Sequence, residues 1–358
     1  MVNSRLRNRG KRQATIWKGL LWPNATVPYL FGKVTPQQRY MFKRAMKHIS
    51  SSTCVKFEER KADEMVYLEG GNECYGWVGN QGEPTIVSIG TGCGNMGNAV
   101  HEFSHTLGLI HTQSRTDRDK YITVNRGDPT NYGMWNDTYN VIPYEYGSVM
   151  TYGANSVVQP KDPKWLGTMG NRIVTFYDMA AIVRLYDCKC SKDLDCKNGG
   201  YTNPSNCSEC YCPLGFGGIL CDRAPRTFSK TLNATEEWKE HSMNFGFDGL
   251  TDTVSMRATL FVTAPKDKTI QVQVSYIYNF ACTERCVWNA FEIKFCCKDV
   301  TGWNDIYTSK LNPTPINIYN RYRAISLTLR YRYINGSVED LPKTNNTFDS
   351  YQYPVYDY

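Results

Sequence analysis

Three of the chain's five histidines fall within one eleven-residue window, His101-Glu102-Phe103-Ser104-His105-Thr106-Leu107-Gly108-Leu109-Ile110-His111. On a helix, residues four apart sit one turn apart, so His101 and His105 project from the same face toward one ion. Gly108 lets the chain leave that helix through positive φ, which aims His111 back at the same point. Three neutral imidazole nitrogens leave a fourth position open for water, the pattern of a catalytic rather than a structural zinc. Glu102 is not needed for coordination. Beside the first ligand it suits a general base that takes a proton from that water and passes it to a leaving amine. A surface helix with unrelated histidines would leave the glutamate, the glycine and the third histidine unexplained. The window therefore predicts one Zn2+ held by His101, His105 and His111, with Glu102 catalytic.

The elements that must position these groups can be read around them. A helix over about 98–107 carries Val100, Phe103 and Leu107 as its core stripe and stops at Gly108. An earlier helix begins after Lys33-Val34. Thr35 is its N-cap, Pro36 suits the first helical position and Gln38 completes a capping box. Phe42, Ala45, Met46 and Ile49 then form one stripe. Short apolar runs at 54–57, 65–68 and 85–89 read as strands around the same core. The mixture makes residues 13–188 an α+β segment.

Composition narrows the class. A length of 358 residues predicts two or three domains. Hydrophobic content of 41% excludes a largely disordered chain, and no apolar run approaches the roughly 18 residues of a membrane span. The net charge of +7 suggests a polyanionic partner until it is located. Arg5, Arg7, Arg9, Lys11 and Arg12 supply five of those charges with no acid among them, and 7 − 5 leaves +2 for the rest. A near-balanced body without a binding motif excludes nucleic acid. Fourteen cysteines and sequons at Asn24, Asn136, Asn206, Asn233, Asn335 and Asn345 point to a secretory, extracellular location with glycan-bearing surfaces. Asn206 is expected to stay bare because Cys207 sits inside its sequon. Met1-Val2-Asn3-Ser4-Arg5 lacks the apolar core of a signal peptide, so a secreted chain would begin upstream.

The histidine window resembles the metzincin signature. Its continuation Gln113-Ser114-Arg115-Thr116-Asp117-Arg118-Asp119 resembles the astacin branch of metalloproteases. Tyr144-Glu145-Tyr146-Gly147-Ser148-Val149-Met150-Thr151-Tyr152 is similar to that family's Met-turn, and Glu73-Cys74-Tyr75-Gly76-Trp77-Val78-Gly79 also matches. The resemblance covers most of residues 14–188 and implies an astacin-like catalytic domain over 13–188. It implies that Met150 is a structural floor under the zinc. It further implies that Tyr152 is an extra ligand that swings away to stabilise the oxyanion, and that Cys54 pairs with Cys188 and Cys74 with Cys93. Three departures stand out. Thr112 occupies the place of a glutamate that contacts the mature N-terminus, so that latch is missing or altered. Thr151 replaces a histidine, and the pro-region with its zinc-blocking aspartate is not in this chain. Arg9-Gly10-Lys11-Arg12 reads as a processing site cut after Arg12, making residues 1–12 a pro-region remnant. The alternative is a solvated basic tail.

Residues 189–222 hold Cys190, Cys196, Cys207, Cys210, Cys212 and Cys221, which can pair in 15 ways. So short a segment cannot bury enough apolar surface alone, and bridges would hold it. Neither histidine nor paired Cys-x-x-Cys units are present, which argues against a zinc knuckle. The stretch Cys210–Cys221 resembles an EGF-like module, implying Cys190–Cys207, Cys196–Cys210 and Cys212–Cys221. In residues 223–340, Ile270, Val272, Val274, Tyr276 and Tyr278 alternate onto one face, as do Ile325, Leu327, Leu329 and Tyr331. Such strands predict a β-sandwich, placed where astacin-like enzymes often carry a CUB domain. Cys282, Cys286, Cys296 and Cys297 do not match the usual CUB spacing, and their pairing is open. The polar, tyrosine-rich residues 341–358 are expected to form a flexible tail.

The expected function is that of a secreted zinc endopeptidase acting on peptide bonds of extracellular proteins, with protein ligands for the EGF-like and CUB-like domains. The resemblance also implies a preference for acidic side chains just after the cut, with Arg172 as the residue to meet them. A competing reading is an inactive adhesion or matrix-binding scaffold. Glu102 and all three ligands are present, which argues against it.

Overall fold

The computed structural model describes residues 14–15, 18–125, 129–136, 138–170, 172–247, 256–279, 289–292, 306–309, 311–321, 323–336 and 347–348. Arg12, Asn345, Cys282, Cys286, Cys296 and Cys297 lie outside these, as does most of the 341–358 tail. The chain divides into two compact units, Met1–Cys190 and Ser191–Tyr358.

In chain order the first unit holds β1 (Ala14–Thr15), β2 (Thr26–Phe31), α1 (Pro36–Ser52), β3 (Lys56–Glu59), β4 (Val66–Glu69), β5 (Tyr75–Gly76) and β6 (Thr85–Ser88). It continues through α2 (Met96–Thr106), β7 (Ile122–Val124), α3 (Pro129–Tyr132), β8 (Thr138–Tyr139), β9 (Val158–Pro160) and α4 (Phe176–Leu185). The capping box of α1 is present. The Thr35 hydroxyl accepts from the Gln38 N–H, and the Gln38 side chain accepts from the Thr35 N–H. Phe42, Ala45, Met46 and Ile49 are buried along its inner stripe. A five-stranded sheet runs in the order β3-β2-β4-β6-β5, parallel except for the antiparallel edge pair β5–β6. β5 passes close to α2, and a Cβ on Gly76 would stand 2.5 Å from the Glu102 carbonyl oxygen. Only glycine allows that approach.

Helix α2 starts at Met96, two residues before the expected Asn98. The side chain of Asn95 caps it by accepting from the Asn98 N–H. The expected strand at 54–57 lies instead at Lys56–Glu59, because Cys54 is taken up in a disulfide with Cys188. A second disulfide joins Cys74 to Cys93. The helix end is tied down by the Trp22 indole, which donates to the Thr106 carbonyl at 2.8 Å. The Gly79 N–H likewise donates to the His105 carbonyl at 2.8 Å.

The second unit begins with β10 (Tyr201–Thr202) and β11 (Cys210–Tyr211), an antiparallel pair among the bridges Cys196–Cys210 and Cys212–Cys221. Cys190 and Cys207 are also disulfide-bonded. Then come β12 (Ser229–Asn233), β13 (Lys239–Phe245), β14 (Met256–Thr263), β15 (Lys268–Tyr278) and β16 (Asn289–Glu292). The last strands are β17 (Ile306–Ser309), β18 (Thr314–Asn320), β19 (Ile325–Asn335) and β20 (Thr347–Phe348). They form two sheets, β12-β14-β18-β16 and β13-β19-β15-β17-β20. Ile270, Val272, Val274, Ile316, Ile325, Leu327, Leu329 and Tyr331 belong to one buried cluster. The expected single face of β15 does not hold along its length. A register shift between Val274 and Tyr276 inverts the alternation, so Tyr276 and Tyr278 are exposed. Two residues of the expected loose tail, Thr347 and Phe348, instead pair in parallel with Thr308 and Ser309. The cysteine-rich segment shares a core with the sandwich: Phe216 meets Phe261 edge-on with ring centroids 5.9 Å apart.

Candidate functional site

Helix α2 brings His101 and His105 to one face, and Gly108, at φ 97°, turns the chain so that His111 joins them. Each helical imidazole is oriented by its Nδ1. That of His101 lies 2.7 Å from the Val149 carbonyl and that of His105 lies 2.9 Å from the Leu109 carbonyl. A carbonyl only accepts, so both Nδ1 atoms carry the proton and both Nε2 lone pairs are bare. The His111 Nε2 stands 3.1 Å from that of His105 and 3.2 Å from that of His101. With the His111 proton on Nδ1, all three Nε2 lone pairs face one point, where a cation between them offsets their mutual repulsion. Burial disfavours the protonated alternative, holding His101 and His111 well below the usual imidazole range and His105 down to about 4. A tetrahedral zinc with bonds near 2.0–2.1 Å places its nitrogen ligands roughly 3.3 Å apart. The three histidines fit that ion, and they are the one such ligand cluster among the described residues.

Glu102, next to His101 on α2, is buried. Burial pushes its carboxyl up to about 7, while the Arg172 charge and a bond from the Gly76 N–H pull it back. Arg172 itself donates to the Val149 carbonyl at 3.1 Å, the group that also orients His101. Met150 is buried, and its carbonyl accepts from the Thr112 N–H at 2.9 Å. The Thr151 hydroxyl donates to the Glu145 carbonyl at 3.0 Å, tightening the same turn. Thr112 is fully buried, and its hydroxyl has no hydrogen-bond partner among the described residues. The Tyr152 ring lies against His111, with centroids 4.5 Å apart. The sequon asparagines Asn24, Asn136, Asn206, Asn233 and Asn335 are exposed.

Four supporting residues were given no role of their own from sequence. Asp178 is buried and accepts from the Ser148 hydroxyl at 2.6 Å, the Val149 N–H at 3.2 Å and the Thr175 N–H at 2.8 Å. It thereby holds the turn whose carbonyl orients His101. The spacing Thr175-x-x-Asp178, a capping box, was its available signal. Gln113 bridges outward from the third histidine, accepting from the Tyr152 N–H at 3.1 Å and donating to the Asn131 carbonyl at 3.4 Å. Asn131 accepts from the Tyr152 hydroxyl at 3.0 Å, a contact with no local sequence signal. Arg115, almost fully buried, braces the following loop through paired bonds of 2.9 Å to Asp117 and bonds of 3.1 Å to the Ile142 and Pro143 carbonyls.

Residues 15–187 match the Astacin peptidase family. Zinc metalloproteinase nas-17 of Caenorhabditis elegans is 40% identical, over 97% of this chain and 86% of that protein. Zinc metalloproteinase nas-16 of the same organism is also 40% identical, over 88% of this chain and 75% of that one. The solved structure of high choriolytic enzyme 1, a hatching-enzyme zinc-protease from Oryzias latipes, is 25% identical with a TM-score of 0.45, covering 49% of this chain and 100% of that one. This chain belongs to the astacin family and is a zinc-dependent metalloendopeptidase.

Proposed function

We propose that the enzyme is secreted and cleaves extracellular proteins, with Glu102 as general base and Tyr152 as donor to the oxyanion. The observation that carries this reading is the convergence of three histidine Nε2 atoms, those of His105 and His101 at 3.1 and 3.2 Å from that of His111, on a segment that also carries the buried carboxyl of Glu102. When bound, zinc supplies a Lewis acid that polarises the scissile carbonyl and lets water lose a proton near neutral pH. Glu102, at about 7, is matched to take that proton and return it to the leaving amine. The Gly76 N–H orients its carboxylate. Tyr152 offers a phenolic O–H to the charge that develops on the carbonyl oxygen. The Arg172 charge, close enough to act on Glu102 and His111, favours an acidic side chain after the scissile bond.

Disulfides in both units support an oxidising secretory route. Removal of residues 1–12 by cleavage after Arg12 would give the mature enzyme. Residues 189–222 serve as an EGF-like module and 223–340 as a CUB-like sandwich for extracellular protein ligands, while exposed Asn24, Asn136, Asn233 and Asn335 accept glycans. An inactive scaffold is disfavoured because Glu102 remains beside a complete ligand set.

The test is cleavage of a protein substrate by purified, processed enzyme and by Glu102→Gln loaded with zinc to the same occupancy. A loss of at least about 100-fold is expected for removal of a general base. Unchanged cleavage would sink the assignment.

A further inference from the structure

The Tyr152 phenol has one proton, and in this structure that proton is donated to Asn131 Oδ1 at 3.0 Å. While that bond stands, the hydroxyl cannot donate to a substrate oxygen, and its position is set from the Asn131 side. The surroundings reinforce it. Asn131 lies on the one-turn helix α3, whose next residue, Tyr132, meets the Tyr152 ring edge-on at 5.8 Å. The Asn155 amide braces the Tyr132 hydroxyl at 3.4 Å. Gln113 fixes the spacing between the two partners. Fully buried, it accepts from the Tyr152 backbone with one end of its amide and donates to the Asn131 carbonyl with the other. Both anchors of the Asn131–Tyr152 bond are therefore tied to the residue two positions after His111.

We propose that Asn131 is a positioning residue that docks the Tyr152 hydroxyl between turnovers and so limits its competition with substrate for the metal. This rests on the reading of Tyr152 as a ligand that moves. A net hydrogen bond of ordinary strength biases such a two-position equilibrium by roughly 2–10-fold. Loss of the dock lets the phenol occupy the metal more of the time. Substrate must then displace it, so KM rises while kcat, set after displacement, changes little.

The experiment uses the full processed chain loaded with Cu(II), where a phenolate-to-copper charge-transfer band reports Tyr152 on the metal, together with kinetics of the zinc-loaded enzyme. Asn131→Ala is expected to strengthen the band and raise KM by roughly 2–10-fold, with kcat within about twofold. Asn131→Asp keeps an acceptor and adds charge, so its band should fall below that of the unaltered protein. In a Tyr152→Phe background the band disappears and Asn131→Ala leaves KM unchanged. Equal bands in Asn131→Ala and the unaltered protein would overturn the dock alone. A KM rise that persists without Tyr152 would do the same by exposing a merely structural role. A band that survives Tyr152→Phe, or is absent from every variant, would overturn the ligand reading and the dock with it.

Discussion

Burial acts on Glu102 and on its histidine neighbours in opposite senses, because it penalises charge and so raises an acid and lowers a base. His105 is the clearest case, buried and lowered to about 4 from an unfolded value near 6.5. As pH falls below 6.5 the unfolded chain takes up this proton while the folded chain does not, so stability is present above 6.5 and drains away on acidification. Glu102, raised to about 7, has the opposite sign and partly offsets one histidine between 4.5 and 7. The His105 contribution is therefore best read by difference. From pH 6.5 to 5 it amounts to about 2 kcal/mol in the metal-free chain. Urea unfolding of metal-free protein should show that much less acid sensitivity in His105→Gln; parallel pH curves would refute it. Asp178 sets a second residue-level expectation. Asp178→Ala strands the Ser148, Val149 and Thr175 donors and should cost about 3 kcal/mol while weakening zinc affinity 10–100-fold through the turn that orients His101. Asp178→Asn still offers a carbonyl to Val149 and Thr175, so it should cost less. Thermal unfolding and a zinc-chelator competition titration check both.

Elements differ in how far local sequence governs them, and the contrast is physical. The caps of α1 and the positive φ at Gly108 depend on residues within one turn of each other, so Thr35, Gln38 and Gly108 announce them. The metal centre was equally legible because its three ligands and Glu102 sit in one window. The bulge in β15 was not, since one extra residue inverts every later side chain without altering the alternation that defines a strand. The Asn131–Tyr152 and Asp178–Ser148 contacts join residues 21 and 30 positions apart and carry no periodic trace. Gly97 belongs to this hidden class. It lies in the first turn of α2, where a Cβ would come within 1.9 Å of the Arg172 carbonyl oxygen. Gly97→Ala must push the start of α2 off that segment and move His101, one turn later. The expected cost is about 1–3 kcal/mol with a measurable loss of zinc affinity. Unchanged affinity at lowered stability would place the relaxation in the Arg172 segment instead.

At the scale of the molecule, all three zinc ligands lie within Met1–Cys190, whereas Ser191–Tyr358 carries its own buried cluster, including Val272, Ile316 and Leu329. Zinc binds the folded form of one unit and has no ligand cluster among the described residues of the other. By mass action, an ion held at 1,000 times its Kd contributes about 4 kcal/mol to the unit that binds it. For a unit of this size each kcal/mol moves the midpoint by about 2–4 °C. Scanning calorimetry before and after chelation should therefore show one transition falling by about 8–16 °C and a second one standing still. The stationary transition should respond to reduction, because Cys212–Cys221 spans Phe216 and Cys210 of the Cys196–Cys210 bridge packs in the same cluster with Phe261. A single transition that shifts as a whole on chelation would mean that the two cores unfold together, and the separation of metal stability from sandwich stability would fall.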